Sequence, residues 1–179
     1  MAKPENLSTY ERLAQAAKDI SNDKLSVGQR KLAILKLMLG MTLNQDLDVK
    51  LVCMHGLVAA TKNDDVNIRE KAIESLSSVI DSIENTVPMF DYMLKQLCRA
   101  VKRNAYMNAE IMQDFVSLLK GDKLTSMTQR RMVFRAILMT AVNPKDHALH
   151  VTSTCGLMDV YNHIPSHWQS RARLVFKEE

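Results

Sequence analysis

Four basic residues between positions 95 and 103 have the spacing of a single helix face. They fall at i, i+4, i+7 and i+8, and they are Lys95, Arg99, Lys102 and Arg103, here called the basic ridge. Arg99, Lys102 and Arg103 have no acidic residue four positions away with which to pair. Uncompensated cations on one face favour binding to a polyanion, either nucleic acid or an acidic lipid surface. The alternative is a solvated helix face that binds nothing.

A second basic group follows further along the chain and consists of Arg130, Arg131 and Arg135. Residues 95–135 hold 9 Lys and Arg against 3 Asp and Glu, whereas residues 1–94 hold 11 against 13 and residues 136–179 hold 4 against 4. The net charge of +4 and the pI near 9.0 therefore come from one segment. We predict that both basic groups belong to one polyanion-binding surface.

Histidines cluster near the C-terminal end of the sequence together with one cysteine. The cluster consists of His147, His150, Cys155, His163 and His167. Cys155, His163 and His167 are weak candidates for zinc ligands, because a structural zinc site needs a fourth. We therefore expect no bound metal. The histidines are either ordinary surface residues or a pH switch, in which imidazoles that gain charge between about pH 7 and 5 loosen an interface.

Catalytic arrangements of side chains are not found in the sequence. It contains no nucleophile and base pair, no glycine-rich phosphate loop and no H-E-x-x-H metal motif. The acidic pairs Asp46/Asp48 and Asp64/Asp65 fall where helices begin, so capping explains them better than acid and base chemistry. We expect no enzymatic activity, no cofactor and no small-molecule substrate.

The elements that carry these residues are predicted to be helices throughout. Apolar residues recur at three- and four-residue spacing, and 5 Gly, 4 Pro and 9 aromatic residues are too few for an all-β fold. Capping patterns and prolines place eight helices at about 8–20, 26–41, 47–61, 65–84, 88–106, 108–120, 126–142 and 144–164. The predicted fold is all-α, with two small bundles of about four helices each and no sheet.

The predicted domains are an N-terminal bundle over residues 1–86, a basic C-terminal bundle over 87–165, and a C-terminal tail over 166–179. The acidic part of the chain ends before Pro88, and Pro165 breaks the last helix, which leaves the tail without an assured structure. The three Cys are scattered, which indicates a reducing compartment rather than a disulfide framework. The N-terminal residues MAKPENLSTYER lack the apolar region of a signal peptide, and no run of about 18 apolar residues occurs, so we expect neither a signal peptide nor a membrane span.

Three short motifs resemble the matrix proteins of orthomyxoviruses, which lie beneath the influenza envelope. RAVKR (99–103) is similar to the family's helical R-K-L-K-R basic motif and keeps three of its four charges. LMTAVNPKDHALHV (138–151) resembles a family stretch with matching Asn, Pro and Val, and SHWQSRAR (166–173) resembles a family run rich in His and Arg. The order of the motifs holds over residues 95–173, while residues 1–94 match the family only in helical character. The resemblance therefore indicates a divergent member, of a genus such as the fish isaviruses.

The resemblance implies a viral matrix protein without enzymatic activity. Such a protein assembles with itself into an open polymer or lattice on the inner leaflet of the envelope. It binds acidic lipid head groups and also the viral ribonucleoprotein, or RNA without sequence preference. The implied locations are the virion beneath the envelope, the host cytoplasm and nucleus, and the cytoplasmic face of the plasma membrane. Acidification is expected to disassemble the layer. Met158 stands where the family's second zinc-binding Cys would be, which speaks against zinc.

Two alternative functions belong to different classes. An RNA-binding protein of the nucleocapsid type would use the basic ridge to hold phosphates, although few aromatic residues are present to stack on bases. A cellular helical adaptor would bind protein partners through the amphipathic helix near residues 65–84.

Overall fold

The computed structural model describes residues 7–85, 89–142, 144 and 147–176. Over these residues the chain is all-α, as the sequence predicts, with no strand. The α-helices are α1 (Thr9–Asp19), α2 (Val27–Leu43), α3 (Leu47–Ala60), α4 (Val66–Ser82), α5 (Phe90–Asn104), α6 (Ala109–Lys120), α7 (Met127–Val142), α8 (His147–Val160) and α9 (Ser166–Phe176). A short 3₁₀ helix, Tyr161–His163, follows α8.

Side chains that cap helix N-termini explain why the helices begin where they do. Capping boxes formed by Ser8 with Glu11, Ser26 with Gln29, and Ser126 with Gln129 precede α1, α2 and α7. The Asn108 side chain accepts a hydrogen bond from Ile111 N at 2.9 Å at the start of α6. These four starts confirm the predictions. The helix starts predicted at Pro88 and Asn143 lie outside the described residues.

The helices form two compact units, residues 1–79 and 80–179. In the first unit α1, α2 and α3 pack against one another in every pairwise combination. Their facing sides bury apolar side chains at helical spacing, including Leu13, Ile34, Leu37, Cys53 and Leu57. The apolar stripe of α4 is also buried, so the surface that an adaptor would need for partners is already covered in the folded chain.

One buried cation ties the turns of the first unit together. Arg30 on α2 is only 6% exposed, and its Nε donates to the carbonyl oxygen of Ile20 at 2.8 Å. Its second branch donates to Asn63 Oδ1 at 3.0 Å, and the guanidinium lies 3.4 Å from Asp23 and 3.5 Å from Asp65. A buried charge needs such partners, because desolvation without them is costly.

The division between the units falls within α4, whereas the sequence predicts it at residues 86 and 87. Side chains after Ile80 explain the difference, because they are bound to other residues of the second unit. The amide nitrogen of Asn85 donates to the Lys123 carbonyl at 2.7 Å and to Gln129 Oε1 at 3.2 Å. Lys123 in turn donates to the backbone carbonyl of Asp81.

The second unit is built around α7, which packs against α5, α6, α8 and α9. Near the start of both helices, Gln129 of α7 donates to the Asp91 carboxylate of α5. At the other end, the hydroxyl of Thr140 lies 3.8 Å from the sulfur of Met107, just beyond α5. The helices α5 and α7 therefore run in the same direction, and both basic groups lie in this unit.

The prediction that residues 166–179 form a tail without assured structure is wrong over residues 166–176, which form helix α9. Pro165 ends the preceding segment, yet its carbonyl accepts hydrogen bonds from the backbone N–H groups of Trp168 at 2.8 Å and Gln169 at 3.0 Å. Trp168, Ala172 and Val175 follow at helical spacing and are buried. The second unit therefore contains five α-helices in its described part, where the sequence predicts about four.

Candidate functional site

The basic ridge forms because α5 is strongly amphipathic. Its apolar face, which includes Phe90, Leu94 and Leu97, is completely buried, and the opposite face carries the charges. Lys102 and Arg103 lie in the last turn, where positive charge is favoured by the carbonyl end of the helix dipole. The helix ends at Ala105 in the left-handed conformation, with φ of 44°, and this ending follows directly after the ridge.

All four side chains of the basic ridge are exposed to solvent, as the sequence predicts for a binding surface. Lys95, Arg99 and Lys102 form no ion pair with any residue that the structure describes. Asp91 is four residues before Lys95, but its carboxylate accepts a hydrogen bond from Gln129. Lys95, Arg99 and Lys102 can therefore offer their charges to an external anion without first breaking an ion pair within the described part of the chain.

Arg130 differs from the exposed residues of the basic ridge, because it is half-buried and its guanidinium forms hydrogen bonds within the chain. Its guanidinium donates to the carbonyl oxygens of Leu119, Gly121 and His163, the last two at 3.2 Å and 3.3 Å. The carbonyls at the end of α6 lack intrahelical donors, and a cation nearby also matches the helix dipole. Arg130 thus joins the end of α6 to the 3₁₀ helix.

Arg131 and Arg135 are exposed on α7, one helical turn apart. Arg131 lines a cavity of about 240 Å³ together with Met127, Thr128, His167 and Trp168. Arg135 is absent from that lining. The three arginines of the second basic group therefore differ in environment. Arg130 is hydrogen-bonded within the chain, Arg131 lines the cavity, and Arg135 is exposed to solvent.

The four histidines are divided between the two ends of α8 rather than gathered in one place. His147 and His150 lie in its first turn, where the Nδ1 atom of His150 lies 3.1 Å from the carbonyl oxygen of Ala141. His163 and His167 lie beyond its last residue and are exposed. A helix of 14 residues is about 21 Å long, so the length of α8 separates the two pairs of histidines.

The weak zinc candidates Cys155, His163 and His167 do not converge. Among the described residues, no three His, Cys, Asp or Glu side chains are arranged so that they could hold a metal ion. Cys155 is exposed on α8, while Cys53 and Cys98 are buried. Burial raises the pKa of the Cys53 thiol to about 11 and that of Cys98 to about 12, which keeps both protonated.

Trp168 and Thr128 are the site residues that sequence reasoning misses. Trp168 is the one tryptophan of the chain, and it stacks on Phe134 with 5.0 Å between ring centroids. His167 meets the same indole edge-on at 5.7 Å. The sequence does contain a pattern that indicates the burial of Trp168. Apolar residues recur at helical spacing from Trp168 to Val175, which predicts a helix with the indole on its buried face.

None of the described helices is both long enough and apolar enough to cross a bilayer.

Comparison of the chain with family models, curated proteins and solved structures gives no match. The resemblance to orthomyxovirus matrix proteins therefore stays a prediction from three short motifs.

Proposed function

We propose that this protein is a viral matrix-type scaffold that binds acidic membrane surfaces through its second unit and assembles with itself. The observation that carries the proposal is the basic ridge, whose cations are exposed on one face of α5. The sequence resemblance supports the same function, and its motif RAVKR (99–103) overlaps the basic ridge.

The energetics favour weak binding by one molecule and stable binding by an assembly. A Lys or Arg near an anionic leaflet gains roughly 1 kcal/mol, so the ridge alone gives reversible attachment. When subunits are linked, each additional attachment becomes intramolecular, and the coverage of the membrane becomes stable. The same surface would hold the viral ribonucleoprotein through phosphate contacts that carry no sequence preference.

Self-association is proposed from the distribution of charge. Asp81, Glu84 and Asp91 are exposed around the end of α4 and the start of α5, in the same unit as the basic ridge. An acidic surface on one subunit that meets the ridge of the next is a heterologous contact, and such contacts repeat into open arrays. Light scattering at low salt should detect growth that added salt reverses. A protein that stays monomeric in solution and on vesicles would contradict this part of the proposal.

The test of membrane binding is sedimentation with neutral vesicles and with vesicles that contain phosphatidylserine. Replacing Arg99, Lys102 and Arg103 by Ala should weaken binding to the acidic vesicles roughly a hundredfold, from about 1 kcal/mol per charge. The matched control replaces the exposed residues Lys18, Lys24 and Lys62 of the first unit, which removes the same charge elsewhere. Equal losses in the two variants would show that net charge alone, rather than the ridge, drives binding.

An RNA competitor distinguishes the nucleocapsid alternative. If RNA binds through the ridge while acidic vesicles do not, the RNA-binding function replaces the matrix function. Binding of both, with RNA displaced by acidic vesicles, supports the matrix proposal, in which one surface serves lipid and ribonucleoprotein. Binding of neither would remove the ridge from both functions.

The pH response is assigned chiefly to His163 and His167. His167 lies beside Arg131 at the cavity and is four residues before Arg171 on α9, so its protonation adds positive charge next to existing cations. Repulsion of this kind loosens contacts between subunits, and loss of the polymer removes the multivalency that holds the layer on the membrane. His147 and His150 contribute separately from the other end of α8.

Dissociation of the polymer should be followed from about pH 7.5 to about pH 5. The variant with His163→Gln and His167→Gln should need more acid than the unmodified protein, while His147→Gln should shift the midpoint less, because the response is assigned chiefly to the other pair. Identical midpoints in all three proteins would remove the His163 and His167 pair from the mechanism.

A further inference from the structure

The cavity at the start of α7 is lined by groups that donate hydrogen bonds. Thr128 and Arg131 come from α7, and His167 and Trp168 come from α9. Arginine and tryptophan side chains are donors only, and threonine and histidine each supply a further donor. No carboxylate lines the cavity. Its composition therefore favours an anionic occupant.

The indole of Trp168 supplies a donor that the folded chain does not use. Trp168 is 3% exposed, and its Nε1–H donates to no residue that the structure describes. The described side-chain atoms that are fully enclosed without a partner are Arg69 Nε, Ser75 Oγ and Thr154 Oγ1, so the indole nitrogen reaches accessible space. Trp168 is one of the residues that line the cavity, and this N–H is the one polar group of its side chain.

The orientation of that donor is fixed by packing. The ring planes of Trp168 and Phe134 lie within 9° of parallel at a centroid distance of 5.0 Å, and Phe134 is 1% exposed. His167 holds the indole from its edge. A donor held by rigid neighbours loses little entropy when it binds, which is the condition for a preorganised site.

The first turn of α7 adds backbone donors at the same place. Met127 and Thr128 line the cavity and are the first two residues of the helix, where N–H groups have no intrahelical acceptor. The N–H of Gln129 donates to Ser126 Oγ at 3.1 Å and is already used. A helix N-terminus attracts anions through these groups and the helix dipole. The unused donor of Trp168, a buried residue that lines the same cavity, is a second and independent reason to expect an anion there.

We infer that this cavity binds a phosphate monoester. A terminal phosphate group carries roughly −1.5 to −2 charges and has three strong acceptor oxygens, which matches a cavity that offers donors from several directions. At about 240 Å³ the cavity is smaller than the roughly 300–1,000 Å³ of sites for drug-sized ligands, so it suits a head group rather than a larger molecule. A phosphodiester has only two free oxygens, so it offers fewer strong acceptors to the donors that line the cavity. The inference deepens the proposed function, and the part of it that concerns membranes rests on that function.

Glycerol 3-phosphate is the first probe, because it carries the phosphate monoester without a membrane. Trp168 is the one tryptophan, so its fluorescence reports directly on occupancy of the cavity. A saturable change should appear on titration with glycerol 3-phosphate and not with acetate at equal ionic strength. The variant Arg131→Gln should bind about tenfold or more weakly, since a charge-assisted hydrogen bond is lost. Arg135→Gln, one turn away and outside the cavity, is the matched control and should bind normally.

The indole N–H is tested by Trp168→Phe, which keeps an aromatic ring against Phe134 and removes the donor. Calorimetry replaces fluorescence for this variant, and the expected result is binding about tenfold weaker with native helix content by circular dichroism. Unchanged affinity in a folded Trp168→Phe protein would remove the indole from the site. Equal affinities of Arg131→Gln and Arg135→Gln, or no binding of glycerol 3-phosphate, would overturn the inference.

Vesicles identify the source of the phosphate and separate this site from the ridge. Vesicles containing phosphatidic acid present a monoester, whereas phosphatidylserine vesicles of matched surface charge present a diester. We expect Arg131→Gln to abolish a preference for phosphatidic acid while binding to phosphatidylserine persists. Glycerol 3-phosphate binding without any such preference would assign the site to a free phosphate metabolite.

The Arg99, Lys102 and Arg103 variant should keep glycerol 3-phosphate binding, so failure of the ridge and failure of the cavity are distinguishable. Displacement of glycerol 3-phosphate by RNA with hydroxyl ends would overturn the assignment to a monoester.

Discussion

Trp168 of α9 lies flat against Phe134 of α7, and this stack fastens the last described helix to the centre of the second unit. Replacing Trp168 by Ala should lower the free energy of unfolding by about 3–5 kcal/mol, because it removes a buried ring and leaves a cavity. Urea denaturation followed by circular dichroism measures the change. Leu174→Ala on the same helix is the control, since Leu174 is 65% exposed and should have little effect. Equal effects of the two substitutions would mean that α9 is not fastened by the stack.

Two neighbouring arginines should separate stability from binding. Arg130→Ala should destabilise the protein by about 1–3 kcal/mol, because three carbonyl groups lose their donor. Arg131→Ala should change stability by no more than about 0.5 kcal/mol, as expected for an exposed side chain, but it should weaken anion binding. Thermal unfolding and vesicle sedimentation on the same two variants provide the measurements, and the reverse pattern would contradict the assigned roles.

The three cysteines should react with a thiol reagent at very different rates. Cys155 is exposed, whereas the thiols of Cys53 and Cys98 are buried, and burial raises their pKa values to about 11 and 12. Because the thiolate is the reactive form, one thiol should react rapidly in the native protein and two only on unfolding. Titration with a chromogenic disulfide before and after adding denaturant measures this. Rapid loss of all three thiols in the native protein would contradict the buried positions.

The capping box of α1 should make stability depend on acid pH. The backbone N–H and hydroxyl of Ser8 donate to the Glu11 carboxylate at 2.7 Å and 2.9 Å, and these hydrogen bonds lower the pKa of Glu11 from its ordinary value of 4.5. A lowered pKa means that the stabilisation is present above the ordinary value and is lost as pH falls through the folded-state pKa. The variant Glu11→Gln keeps a capping box at α1, because Ser26 and Gln29 form the same kind of box at α2, and it removes the carboxyl group that titrates. The difference in unfolding free energy between the two proteins should therefore change below about pH 5 and stay constant above it.

Most of the helices are predictable because their signals are local. The boxes at Ser8, Ser26 and Ser126 depend on residues three positions apart, so the sequence alone is enough to place the helix starts. The exposure of the basic ridge is predictable for the same reason, since charges and apolar residues separate on α5 by helical spacing.

The remaining features depend on partners that are distant in sequence. Arg130 and Arg131 are adjacent and chemically identical, yet one binds carbonyls that lie 9 to 33 residues away and the other lines a cavity. The histidines look like one cluster in sequence, but the length of α8 separates them. The sequence does not predict α9, because a proline such as Pro165 indicates the end of a helix. In the structure the carbonyl of Pro165 accepts the first backbone hydrogen bonds of the next helix.

Arg30 of α2 links the residue after α1 to the segment after α3. Its guanidinium donates hydrogen bonds to the carbonyl oxygen of Ile20 and to Asn63 Oδ1. A fragment that stopped after α3, at Ala60, would contain every helix of that three-helix packing but would lack Asn63 and Asp65. The Arg30 guanidinium would then keep the carbonyl of Ile20 and the solvent-exposed carboxylate of Asp23 as partners. It would no longer link the end of α1 to the segment after α3. We therefore expect a fragment of the N-terminal unit that extends through Asp65 to be more stable than one that ends at Ala60, the last residue of its third helix.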